Sequence, residues 1–156
     1  MDVEQKKGSG SGTSVSRKLV DLIEKNAEAL TKRWLADVRQ EASLTTYHSY
    51  DDIKLSERAY RVFSQLGKWI SRETTREDVA RDYLALGAQR REEGFALSEI
   101  IRALILIRRN LWRKVMDEGL LDTSYDLYQA IELNDRVTLF FDRAIFYTAL
   151  GYEKKG

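Results

Sequence analysis

The chain has no cysteine, no proline and a single histidine, His48. Without cysteine there are no disulfides, thiolate metal sites, iron–sulfur clusters or cysteine nucleophiles. One imidazole also rules out any metal site that needs two. With no proline, only glycine and short polar clusters punctuate 156 residues in which large aliphatics recur at spacings of three and four. That pattern predicts an all-helical chain. Charge of one sign is missing too. Lys+Arg 26 against Asp+Glu 25 leaves a net +1, so no global field exists to hold nucleic acid or an anionic membrane. No window approaches the roughly 20 uninterrupted apolar residues of a membrane span, and the hydrophobic core of a signal peptide is lacking. The expectation is a soluble, cytoplasmic protein that neither binds nucleic acid nor inserts into a membrane. Gly-rich phosphate loops, nucleophile elbows and serine triads are absent as well. Adjacent acids such as Asp51 with Asp52 and Glu92 with Glu93 would point about 100° apart on a helix, not at one substrate. No catalytic residue, cofactor or metal site is expected.

What is present is organised around Phe95 to Gly119, FALSEIIRALILIRRNLWRKVMDEG. Ile100 to Ile107 is apolar at every position except Arg102, and a helix apolar all round is a buried one. Earlier segments supply its neighbours. Leu19, Leu22, Ile23, Ala27, Leu30, Trp34 and Val38 follow the helical period to about Ala42, with Asn26 as a kink or fresh cap. SLTTYHSYDD reads as a loop, and Asp51 or Ser56 caps a helix reaching about Arg72 whose inward face is Leu55, Ala59, Val62, Phe63, Leu66, Trp69 and Ile70. Thr74 or Thr75 opens a further helix that closes at Gly94, with Gly87 leaving room for a close crossing. The short connection after it predicts that this helix and the central one lie nearly antiparallel. Asp122 or Thr123 caps the last helix, to about Tyr152. The expected fold is all-α, five or six helices around a buried central helix, as a globin-like or an antiparallel bundle. One domain is expected over 14–153, between flexible tails at 1–13, where GSGSGTS is linker-like, and 154–156.

Two arginines stand out because an arginine among apolar residues is costly unless an acid or an anionic ligand meets it. Arg108 projects into the stripe of Leu104 and Leu111, and Arg90 continues the stripe of Val79, Tyr83 and Leu86. With Tyr83 and Trp112 they form the candidate ligand-binding set. The bland alternative is pairing with Glu93, Asp135 or Asp142, or a packed stem with its head in water. His48, in the expected loop, reads as solvated. The last helix carries two adjoining apolar stripes, Leu127, Ala130, Ile131, Phe141, Ile145 and Thr148 beside Leu133, Val137, Phe140, Ala144 and Tyr147. Together they are wider than one side of a core requires, so Leu133, Val137, Phe140 and Tyr147 are expected to form a homodimer interface.

The segment YLALGAQRREEGFALSEIIRALILIRRNLWRKV, with LIEKNAEALTKRWL before it, resembles the N-terminal sensory domain of RsbRD-type RsbT co-antagonists. The likeness rests on the first helix, on Arg90 and Arg91 before Glu93 and Gly94, and on the LSEIIRAL to LW run. It covers nearly all of Val15 to Tyr152. It implies a non-catalytic bacterial sensory or regulatory domain of a stress-response type, similar to globins that lack haem. The implied partner is a downstream output domain or regulatory protein. A small-molecule carrier with an arginine-floored pocket beside the central helix is the alternative.

Overall fold

The computed structural model of the chain describes residues 17–118 and 122–154. The tail expected over 1–13, the start of the domain at 14, Gly119 at the end of the central run and residues 155–156 lie outside them. Eight helices, and no strand, occur among the described residues: α1 (17–25), α2 (Ala27–Gln40), α3 (Thr45–Ser49), α4 (Asp52–Ser64), α5 (Leu66–Ile70), α6 (Arg76–Glu92), α7 (Leu97–Asp117) and α8 (Ser124–Glu153). They pack as an all-α helical bundle. The number exceeds five or six for local reasons. Asn26 divides the first expected helix, its side-chain amide donating back to the Leu22 carbonyl at 2.8 Å. Gln65 divides the third quarter of the expected 52–72 helix into α4 and α5, and the expected loop closes one helical turn as α3.

The caps follow the hydroxyl and acidic residues. Asp51 accepts from the Lys54 N–H at 2.8 Å at the start of α4. Thr75 and Asp78 form a reciprocal capping box on α6, and Thr123 and Asp126 form one on α8. At the far end of α6, Gly94 has φ 95, a conformation that costs a side-chain-bearing residue roughly 1–2 kcal/mol. The turn closes with Phe95 N–H on the Arg90 carbonyl at 3.1 Å, and Phe95 is buried against the ring of Tyr47, 4.6 Å between centroids.

α7 is a core helix, as its sequence requires. Ile100, Ala103, Leu104, Ile107, Leu111 and Val115 are buried, and it packs on α2 and α8. Trp34 on α2 donates its indole N–H to the Ala103 carbonyl at 3.0 Å. The polar Asn110 is fully buried on the same face, donating to Asp37 at 2.8 Å and to the Leu106 carbonyl at 2.9 Å.

α6 departs from expectation. Its principal neighbour is α8, not α7, and two glycines make that contact possible. A Cβ on Gly87 would stand 2.1 Å from the Thr148 carbonyl oxygen, and one on Gly151 would stand 2.1 Å from the Leu84 carbonyl oxygen. The backbones of α6 and α8 therefore touch where no side chain fits. Trp69 of α5, Tyr83 of α6 and Phe140 of α8 meet edge and face beside this crossing, with centroids 5.3–5.7 Å apart.

Candidate functional site

With α6 held to α8, its other flank faces α4 across a cleft of about 380 Å³. The cationic side chains around this cleft are Arg58, Arg61, Lys68 and Arg90, against the single acid Asp82. A smaller hole of about 50 Å³ adjoins it on the side of α2 and α7, lined by apolar residues including Leu55, Ala59, Ile100, Ala103, Leu104 and Ile107. Arg58, Val62, Tyr83, Leu86 and Arg90 line both spaces. A cationic mouth thus leads to an apolar interior.

Arg90 sits at the junction. Its side chain is 9% exposed. Among the described residues its guanidinium donates one hydrogen bond, to Gln89 Oε1 at 3.1 Å, and stands 3.6 Å from Glu93. Five N–H donors are available on such a group, so most of them are not met by protein and open on the cleft instead. Burial, and then the nearby positive charge of Arg58, lower its pKa from the ordinary arginine value; the group stays charged, as arginines do in proteins. Its acid is already engaged, because Arg58 donates to both carboxylate oxygens of Glu93, at 3.0 and 2.8 Å. For Arg58, burial works against the charge, but the bonds to Glu93 and to the Tyr50 hydroxyl outweigh it and raise its pKa. Two arginines therefore share one carboxylate, and the excess positive charge lies on the more buried of them.

Tyr47 and Tyr83, each 4% exposed, flank the same hole. Both hydroxyls stand near enough to Arg90 for its charge to act on them. Burial pushes both phenols up, so at neutral pH they are protonated and able to donate. α3, which carries Tyr47, is tied to α7 by the buried Glu99, whose carboxylate accepts from Thr46 N–H at 2.8 Å and Ala96 N–H at 2.9 Å. Burial raises the pKa of Glu99, but these backbone donors more than offset it, and the group lies below its ordinary value.

Of the four residues read as a ligand set, the structure brings together Arg90 and Tyr83 only. Arg108 is half-buried and has no acid against it among the described residues; its guanidinium lies 6.0 Å from the centroid of the Phe141 ring. The buried face of α7 is centred on Ala103, Ile107 and Asn110, about a quarter-turn or more away, so Arg108 stands on the rim with its stem packed. Trp112 packs against the core from the same rim and does not line the cleft. Arg58 and Tyr47 were missed. Arg58 continues the inward face of α4 between Leu55 and Ala59, the same signal that singled out Arg90. Tyr47 belonged to a stretch read as loop. His48 is exposed with Nε2 2.8 Å from the Glu41 carbonyl and lines neither space.

The dimer residues also need correction. Leu133, Val137 and Phe140 are 0%, 0% and 3% exposed within one chain, and Tyr147 is half-buried against the core. α5, α6 and α7 all pack on α8 and occupy the apolar width that the sequence leaves spare. The large hydrophobics that α8 exposes lie on the opposite face: Tyr128, Ile131, Leu139 and Phe146, with Leu127 and Tyr125 beside them. Among the described residues no helix is long and apolar enough to cross a membrane.

A profile of the RsbT co-antagonist protein rsbRD N-terminal domain matches residues 28–155. No curated protein and no solved structure matches significantly.

Proposed function

Since the chain belongs to the RsbT co-antagonist protein rsbRD N-terminal domain family, a family of regulatory signalling domains, we propose that it is a non-catalytic, cytoplasmic sensor whose input site is the cleft between α4 and α6. The observation that carries this reading is Arg90, nine-tenths buried, using one donor, at the mouth of an apolar hole. None of its nitrogens is sealed from solvent without a partner, so its free donors open on the cleft, where a ligand can reach them. Ligand entry there would bear on α6, and through the glycine crossing on α8, the longest helix and the one with an unpartnered apolar face.

The output in this reading is association of two copies through α8. Tyr128, Ile131, Leu139 and Phe146 recur at helical spacing on its exposed side, with Asp135 and Asp142 between them. A parallel, in-register pair would set each aspartate against its own copy, which is unfavourable. An antiparallel two-fold pair centred on Leu139 instead sets Asp135 opposite the partner's Arg143, and it buries the stripe by a self-complementary contact. Sedimentation equilibrium at tens of micromolar tests this. A dimer mass that falls to a monomer in Leu139→Glu, with helical content retained, supports it; a monomer mass for the unaltered chain sinks it. The carrier reading shares the cleft, and it wins if the ligand binds without altering association in any state of the protein.

A further inference from the structure

Donors outnumber free acceptors where the cleft meets the hole. Arg90 has N–H groups that no protein atom among the described residues meets, and Tyr47 and Tyr83 line the same hole with their hydroxyls within reach of its charge. Of the acceptors beside them, Gln89 Oε1 is taken by Arg90 itself at 3.1 Å and Glu93 by Arg58 in a two-bond contact, which leaves Asp82 on the outer cleft. Such a set is complementary to an acceptor-only, anionic group. Immediately behind it the lining changes to Leu55, Ala59, Ile100, Ala103, Leu104 and Ile107, which offer nothing to a polar group and favour an alkyl one.

We propose that the cleft binds a small monocarboxylate, with its carboxylate on Arg90, Tyr47 and Tyr83 and a short alkyl tail in the apolar hole. Size sets the tail. A space of about 50 Å³ takes roughly three to five atoms at about 10–15 Å³ of such volume for each water-sized particle. Straight chains of four to six carbons therefore fit, with the first carbons in the mouth. A phosphate or sulfate would satisfy the donors but leave the hole empty, and an alcohol would fill the hole but leave Arg90 unmet. Arg58, Arg61 and Lys68 around the outer cleft add an attractive field for anions. This deepens the sensory reading by naming the ligand class, and it rests on that reading only for its biological consequence.

The test is calorimetric titration of the full 156-residue chain with acetate, butyrate, hexanoate and octanoate, with 1-butanol and 1-hexanol, and with inorganic phosphate. Saturable binding should peak at butyrate or hexanoate. The matched alcohols and phosphate should bind at least tenfold more weakly, and Arg90→Gln should lose at least tenfold for the acids. Ile107→Val enlarges the hole and should move the optimum towards the longer acid. Circular dichroism checks the fold. If Arg90→Gln does not fold, Tyr83→Phe removes only a hydroxyl and should weaken the acids several-fold while leaving the alcohols unchanged. Alcohols binding as well as acids, phosphate binding as well as butyrate, or affinity unchanged in both variants would each overturn the proposal. So would no saturable binding by any acid, although a sensor driven by a protein partner would survive that result. Binding that leaves association unaltered would instead overturn the sensory reading and keep the ligand class.

Discussion

The two flanks of α6 are built on opposite principles. Towards α8, Gly87 and Gly151 bring backbone against backbone, so close that even a methyl group has no place. Towards α4, less than a third of a turn around the same helix, Tyr83, Leu86 and Arg90 border open space, and two arginines lean on one glutamate. The first flank spends sequence on removing side chains, and the second retains large polar ones that the fold does not fully satisfy. Close packing fixes α6 as part of a rigid pair, whereas the unfilled side is where an outside molecule can change the energy of the fold.

The sharpest way to break this contrast is to put a methyl group on the packed flank. Gly87→Ala, or Gly151→Ala, forces α6 and α8 apart against backbone atoms that cannot swing aside, and overpacking of this kind costs about 3 kcal/mol at the high end of its usual range. Chemical denaturation should show it, and a loss below about 0.5 kcal/mol would mean that the crossing is looser than described. On the open flank, Glu93→Gln leaves Arg58 and Arg90 facing each other without a counter-charge. The group is partly solvated, so the expected cost is about 1–2 kcal/mol, less than the 3–5 of a fully buried pair. The loss should shrink when a saturating small anion is added, and equal losses with and without the anion would count against an anion-receptive cleft.

The tie that holds the wall of the cleft is Glu99. Its folded pKa lies below the ordinary 4.5, so its contribution to stability is present above that value and disappears as pH falls through the folded one. Stability should therefore decline below about pH 4.5, and Glu99→Gln should flatten this acid limb while costing about 1 kcal/mol near neutrality. An unchanged acid limb in that variant would remove the tie. The smallest effect belongs to Arg108. With only a half-exposed contact over Phe141 to lose, Arg108→Ala should cost about 0.5–1 kcal/mol; a loss of 3 kcal/mol or more would restore it as a buried, paired charge.

Much of this contrast was legible in the residues. Helical period alone located α2, α4, α6, α7 and α8; residue type marked the stop at Gly94 and narrowed each cap to two residues, of which Asp51, Thr75 and Thr123 serve. Gly87 pointed to a close crossing, but a helical wheel does not name the partner helix, and Gly151, just inside the expected end of the last helix, was not singled out. The same limit explains Arg108. The wheel of α7 is apolar over so much of its circumference that the centre of the buried face is ambiguous, and the arginine moved from centre to rim once α2 and α8 took their places. On α8 two apolar stripes were recognised, yet apart from the exposed Leu127 and Ile131 both face inward, since width is counted in sequence while the number of neighbours is set by the fold. Arg90 survived because its stripe is narrow and leaves one choice of face.

Where a small anion lands on the molecule distinguishes the open flank of α6 from every other basic surface. An amide NMR titration of the isotopically labelled chain with hexanoate should shift resonances around Arg58, Tyr83, Leu86 and Arg90 in saturable fashion, together with those of Tyr47 and Ile107 across the hole. Perturbations that cluster around Arg108 and Trp112 instead, or that spread over surface arginines without saturating, would contradict the placement of the input site between α4 and α6.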